Sequence, residues 1–125
     1  MSYLLVFIGG GLGSLLRFLL SSALCWPVDA GRFPIKTFAV NMLGCLLIGF
    51  LSGLFSSISI RAEVKNLLIA GFCGGFTTFS TFSRETYDLF AAGSGMIAIA
   101  YAVLSVTLGV LFVLFGYTVA SRIAG

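Results

Sequence analysis

The sequence contains no histidine and few charged residues, and both shortages narrow what the protein can do. Only 9% of its 125 residues are charged, against about a quarter in soluble domains. Without histidine, His-based acid–base catalysis and His-ligated metals are excluded. The seven basic residues are scattered and form no basic face, so the net charge of +3 does not indicate nucleic-acid binding. We also find no nucleophile–base pair and no metal-ligand cluster, and therefore expect no enzyme.

Apolar residues dominate the chain instead, at 59% of the sequence and a mean hydropathy of +1.15. A domain this small cannot hide so much apolar surface in a core. We predict an all-α membrane protein, residues 1–125 forming one transmembrane domain in the cell (inner or plasma) membrane. About 20 apolar residues cross a bilayer, and four stretches of the sequence qualify. The first lacks the charged start and the cleavage site of a signal peptide, so we expect it to remain in the protein as a membrane span. These stretches are Tyr3–Cys25, Thr37–Phe55, Asn66–Phe82 with an amphipathic continuation to Phe90, and Met96–Ala120.

The basic residues that set membrane orientation are nearly balanced between the two sides. This count favours insertion in both orientations, although a fixed topology set by another feature is the alternative. Small residues four positions apart, such as Gly71 and Gly75, permit close helix approach, either within one chain or between copies. Oppositely inserted copies would form a dimer with its two-fold axis in the membrane plane. One side would hold Arg61, Lys65 and Arg122, and the other Arg17, Arg32, Lys36 and Arg84.

The third predicted span contains the most informative run, Gly-Phe-Cys-Gly-Gly-Phe-Thr-Thr-Phe-Ser-Thr-Phe-Ser at residues 71–83. Two adjacent glycines, Gly74 and Gly75, precede five hydroxyl side chains. Each glycine weakens a helix by roughly 1 kcal/mol relative to alanine. Freed backbone at membrane depth is tolerated only where it faces protein or a polar cavity. We therefore predict that the helix is broken at this double glycine and lines a site.

Asn41 is a second polar feature, inside the second span, with Thr37 and Cys45 one turn away on the same face. A primary amide in hydrocarbon is costly unless it is paired. It can bond a neighbouring helix, or its NH₂ donors can replace water around an anion. The spacing leaves both interpretations open.

Aromatic and hydroxyl residues surround the predicted break. In the stripe of four phenylalanines, we expect Phe72 and Phe76 to pack, whereas hydroxyls flank Phe79 and Phe82. A phenyl ring has a positive edge, so the latter two rings can accept a small anion without a formal charge. Additional donors that fit such a path are Ser80, Thr81, Tyr101 and Ser105, although isolated hydroxyls often bond their own backbone instead.

The charged residues argue against a cation or proton transporter, which usually buries an acid at mid-membrane. The first, second and fourth predicted spans contain no Asp or Glu. Glu85 lies past the expected break. It would be buried if the third helix continues, but we place it near the interface. Arg17, towards the end of the first span, either snorkels to the surface or sets a positive mouth for anions.

Taken with the Gly-rich start at residues 9–13, Arg17-Phe18 and Asn41, the run Gly-Gly-Phe-Thr-Thr-Phe-Ser-Thr-Phe at residues 74–82 resembles the Fluc (CrcB) fluoride channels. The resemblance covers essentially the whole chain. It implies an antiparallel, dual-topology homodimer with two fluoride pores and a structural sodium ion (Na+) at its centre. Departures from the family pattern are Phe76, where a smaller aliphatic is expected, and Gly109, where a serine would continue the polar track.

Carried over by position, the resemblance implies residue roles. The sodium ligands would be the backbone carbonyls of Gly74 and Thr77, and the mouth residue would be Arg17. The fluoride path would be lined by Asn41, Phe79, Phe82, Ser80, Thr81, Tyr101 and Ser105, with Thr37 towards the vestibule.

Two other functions compete with a channel. A small multidrug exporter also has four spans and often dual topology, but it needs a buried glutamate, and the first span contains none. A structural membrane subunit without transport would need neither Asn41 nor the hydroxyl-rich run.

Overall fold

The computed structural model describes residues 2–24 and 32–124, and every regular element in this part of the chain is helical, as predicted. Three of the helices, α1, α2 and α6, are long and apolar enough to cross a membrane. The predicted end of the first span, Cys25, lies outside the described residues. The helices are α1 (Ser2–Ala23), α2 (Ile35–Ser57), α3 (Ala62–Lys65), α4 (Gly74–Phe76), α5 (Phe79–Ala91) and α6 (Gly95–Ala124), with a π-helical segment at Asn66–Cys73 between α3 and α4.

The third predicted span is broken, but not at the double glycine. Helical backbone passes without interruption through residues 62–76 and includes Gly74 and Gly75. The break lies at Thr77 (φ −86°, ψ 159°) and Thr78 (φ −146°, ψ 118°), which are both extended. The predicted position was therefore wrong by about three residues, because the glycines serve close packing rather than the break.

Glycines pack the first half of the third span (residues 62–76) against α1. A Cβ atom on Gly13 would overlap the carbonyl oxygen of Phe72, and one on Gly75 would overlap that of Gly10. Such close approach requires a small residue at the crossing. Contacts advance in the same direction along both segments, so α1 and residues 62–76 run parallel.

Helices α2 and α6 form the second pair and have the most extensive contact in the chain. Gly49 meets the backbone of Val113, and Gly116 meets that of Leu46. This pair is also parallel, because residue numbers increase together along the two helices. The small-residue spacing predicted from the sequence therefore serves packing within the chain.

The two pairs are joined more loosely than the helices inside each pair. Consecutive helices α1 and α2 touch little, and an apolar groove lies between them. At the other end of the molecule, α5 packs on α6 through a small core of Leu89, Ala98 and Tyr101. The broken segment sits where the two pairs meet, so both contribute side chains to it.

Candidate functional site: the helix break

Hydroxyl groups organise the backbone on both sides of the break. Thr77 donates from its hydroxyl to the Cys73 carbonyl at 3.0 Å and so ends the preceding turn. Thr78 is the N-cap of α5, where its Oγ1 accepts from the Thr81 backbone N–H at 3.3 Å. The same Oγ1 donates to Thr81 Oγ1 at 3.0 Å. Threonine is suited to this position because its oxygen satisfies a donor that the first helical turn leaves unpaired.

Asn41 on α2 braces the break from the side. Its Oδ1 accepts from the Thr78 backbone N–H at 3.0 Å, and its Nδ2 donates to the Thr78 carbonyl at 3.3 Å. Of the two interpretations left open above, the structure thus shows pairing with a neighbouring segment. The Nδ2 group has two hydrogens, so a second donor is left for another acceptor.

The hydrogen bond from the Thr78 N–H to Asn41 Oδ1 also changes the environment of the Gly74 carbonyl. In a continuous helix, the Thr78 N–H would donate to Gly74, but here it turns to Asn41. The Gly75 carbonyl accepts from Ser14 Oγ and from Arg17 Nε, each at 3.3 Å. The structure therefore places Arg17 against the break, through the backbone of the glycine that packs on α1.

A cavity of about 420 Å³ opens beside the break and gathers residues from three spans. Its wall includes Gly74 and Thr77 next to the break, together with rings and polar groups. Most of the wall is apolar, and in such a pocket the few polar groups determine what binds. Six of the sequence-predicted site residues line it: Asn41, Gly74, Thr77, Phe79, Phe82 and Ser105.

Three aromatic rings form a path from this cavity towards α6. The centroids of Phe79 and Phe82 are 5.8 Å apart, and those of Phe82 and Tyr101 are 5.0 Å apart. Tyr101 is fully buried, whereas 78% of the Phe79 surface is exposed on the outside of the chain. Neither ring pair is stacked face to face, so ring edges are presented to the space between them.

The other two phenylalanines of the stripe pack, as expected. The rings of Phe72 and Phe76 are nearly parallel with centroids 6.1 Å apart, and Phe76 is buried. Its larger side chain therefore fills space between helices and does not enter the cavity beside the break.

A carboxylate joins two of the predicted polar residues beyond the rings. Thr37 Oγ1 donates to Glu85 Oε2 at 2.9 Å, and the Tyr101 hydroxyl donates to Glu85 Oε1 at 3.0 Å. Glu85 is half-buried, and Thr37 is buried. Our sequence prediction left Glu85 outside the site with no assigned role, whereas the structure makes it the centre of this cluster.

The remaining residues singled out from the sequence lie in the first turn of α5 or farther along α6. Ser80 is exposed and Thr81 is half-buried at the start of α5, next to the cap. Gly109 is buried, and a Cβ atom on it would come within 3.3 Å of the Cys45 sulfur. The position that departs from the family pattern thus lies at a tight α2–α6 contact, with little room for a serine side chain.

This arrangement defines a small helical membrane protein whose polar groups converge on a broken span. Residues 4–117 match the family of CrcB-like proteins, described as Camphor Resistance (CrcB), and the chain belongs to that family. It is 47% identical over 115 residues to the fluoride-specific ion channel FluC of Phocaeicola vulgatus, covering 92% of this chain and 94% of the relative. It is 44% identical over 123 residues to fluoride-specific ion channel FluC 2 of Bacillus subtilis, covering 98% and 90%. The resemblance inferred from the sequence is thus confirmed, as is the prediction that the chain is not an enzyme.

Proposed function

We propose that the protein is a passive, fluoride-selective channel. The observation that carries this proposal is the cavity beside the break, where an asparagine amide, released backbone and tilted phenyl rings converge. Fluoride is small and strongly hydrated, so it needs several donors in place of water. Amide, hydroxyl and ring-edge groups supply those donors without a fixed cation that would hold the ion.

Glu85 has a defined place in this proposal. Its two oxygens occupy the hydroxyl donors of Thr37 and Tyr101. A fluoride ion that reached the cluster would compete for the same two donors, since both anions accept hydrogen bonds. Glu85 therefore keeps these hydroxyl groups oriented when no ion is present, and its carboxylate, when ionised, repels an anion that reaches the cluster.

A second, antiparallel copy would complete the site. Phe79 and Gly74 are exposed on the face that bears the break, and the basic residues give little orientation preference. A two-fold axis through this face repeats the break in opposite orientation. The dimer would then contain two pores, with Phe79 covered by the partner subunit.

The backbone at the break also suits a structural sodium ion. The carbonyls of Gly74 and Thr77 would hold it, since the Thr78 N–H is directed to Asn41 rather than to Gly74. Unwound carbonyl groups are suitable ligands for sodium, and doubling by the two-fold axis gives a set of four. When bound, the ion would supply positive charge that holds the two break segments together. It would lie between the pores, not along them.

The proposed direction of flow is outward from the cytoplasm across the cell (inner or plasma) membrane. Moving one charge across 100 mV is worth about 2.3 kcal/mol. A membrane potential that is negative inside therefore expels the anion without coupling to another gradient.

Liposome flux tests this function. Purified protein in potassium-fluoride-loaded liposomes should release fluoride when valinomycin permits charge balance by potassium, and should leave a chloride gradient intact. Protein-free liposomes and omission of valinomycin are the controls. Fluoride release that requires a proton gradient and does not respond to valinomycin would contradict a passive channel.

A further inference from the structure

The groove between α1 and α2 is a feature of the described part of the molecule that the proposed fluoride conduction does not use. It has a volume of about 550 Å³ and is lined only by Leu, Phe, Val and Gly residues from all four spans. Its wall is left uncovered by the chain, since Leu43 is 51% exposed and Phe115 is 63% exposed. A feature with this lining, open at its side, takes a purely apolar occupant.

The groove lies at the depth of the lipid tails. α2 has 23 residues and is therefore about 34 Å long, close to the hydrocarbon thickness of about 30 Å. The α2 residues that line the groove extend from Leu43 to Phe50, which is about 10 Å along the helix axis. The groove thus begins about 12 Å below the start of α2 at Ile35 and lies inside the hydrocarbon region.

A basic residue stands above the groove on the same face of α2. Lys36 precedes Leu43 by seven residues and Leu47 by eleven, which are close to two and three helical turns. It lies one residue after the start of α2, at the depth of the lipid headgroups. Within the described parts of the chain, its ammonium group has no hydrogen-bond or ion-pair partner. A lysine in this position extends its charge towards the membrane surface.

We propose that this groove binds one acyl chain of an anionic phospholipid, with the headgroup phosphate paired to Lys36. The apolar wall accepts the chain, and the ammonium group about 10 Å above Leu43 meets the negative headgroup. This site does not depend on fluoride conduction, because it uses a different face of α2 from the helix break.

A second copy of the chain is the competing occupant, and the helix geometry argues against it. Asn41, Cys45 and Ile48 of α2 line the cavity beside the break, where the proposed partner subunit would lie. Leu43 and Leu47 line the groove and point to the opposite side of the same helix. A dimer formed through the break therefore leaves the groove facing lipid.

Tryptophan quenching by brominated lipids tests the proposal in the assembled protein. The single tryptophan, Trp26, is replaced by phenylalanine, and a reporter is introduced by Leu43→Trp. The matched control is Leu114→Trp on α6, which is 59% exposed and lines neither the groove nor the cavity beside the break. Each protein is reconstituted with phosphatidylglycerol or phosphatidylcholine brominated at mid-chain, in a background of the other, unlabelled lipid.

The groove reporter should prefer phosphatidylglycerol by about three- to fivefold, the effect expected from one basic residue at a lipid surface. The control reporter should show a ratio near one. Lys36→Gln should bring the groove ratio to one, and Arg122→Gln, at the other end of the molecule, should leave it unchanged. If Leu43→Trp does not fold, Leu47→Trp reports from the same wall one turn deeper.

Three results would overturn the proposal. Equal lipid preference at the groove and control positions would remove the binding site. A groove reporter that neither brominated lipid quenches would show that protein fills the space. A preference for phosphatidylglycerol that survives Lys36→Gln would remove the assigned headgroup partner.

Discussion

The brace between Asn41 and Thr78 leads to our most detailed prediction. Asn41→Leu keeps the size of the side chain but removes both the acceptor for the Thr78 N–H and the donor to its carbonyl. Each lost hydrogen bond costs about 0.5–1.5 kcal/mol, and a buried donor left without a partner costs about 1–3 kcal/mol. We expect the free energy of unfolding to fall by roughly 2–4 kcal/mol.

The matched control is Asn66→Leu. Asn66 donates one hydrogen bond, from Nδ2 to Ser2 Oγ at 3.3 Å, and lies far from the break. The same chemical change there should cost no more than about 1 kcal/mol. Unfolding of the purified protein in detergent, followed by circular dichroism, measures both variants, and liposome flux measures conduction. Asn66→Leu should conduct fluoride normally, and Asn41→Leu should not.

Asn41→Asp separates the brace from the path of the ion. The carboxylate retains an acceptor for the Thr78 N–H and should recover part of the stability. It loses the amide donor and places a negative charge near the anion, which costs about 4 kcal/mol at a separation of 4 Å and an effective dielectric constant of 20. Flux should fall by at least a hundredfold. An Asn41→Leu protein as stable and as conductive as Asn66→Leu would refute the proposed brace.

Three further predictions test packing, ring function and topology. Gly75→Ala would force a methyl group into the α1 backbone and should cost about 1–3 kcal/mol of stability. Gly11→Ala, which has open space around it, should be tolerated. Equal melting temperatures of the two variants would contradict the close approach. Phe82→Ile removes the ring edge and should abolish fluoride flux without dissociating the dimer, whereas Phe72→Ile should spare flux; a conducting Phe82→Ile dimer would exclude that ring. A single cysteine near Arg61, on a background without native cysteines, should label equally from both sides of the membrane, and one-sided labelling would exclude dual topology.

The apolar runs were sufficient to predict the helices, but not the position of the break. Length and hydropathy gave the bounds of α2 and α6 to within a few residues. At Gly74 and Gly75, low helix propensity was outweighed by packing on α1. Thr78 is the N-cap of the new helix, but it is one of five hydroxyl residues in the run, so the sequence did not single it out.

The candidate site was predictable where side chains share one helix, and not where it depends on neighbouring helices. The positions of Asn41, Phe79 and Phe82 around one cavity followed from spacing and from the family resemblance. The role of Glu85 required knowing that α5 restarts at Phe79 and packs on α6. Once that start is known, Phe82, Glu85 and Leu89 fall on one face of α5. The sequence analysis ended the third span at Phe82 and therefore did not use this spacing.

The interleaved order of the two helix pairs bears on how the chain acquires its structure in the membrane. α1 meets its tight partner only after residues 62–76 have been synthesised, and α2 waits for α6, the last helix. A chain stopped after α2 would hold two helices in lipid with their glycine faces uncovered. Because α1 and α2 do not close on each other, the α1 pair can pack tightly only after the third span is inserted, and the α2–α6 pair only after the last helix. The two pairs therefore close in the order in which their second members enter the membrane.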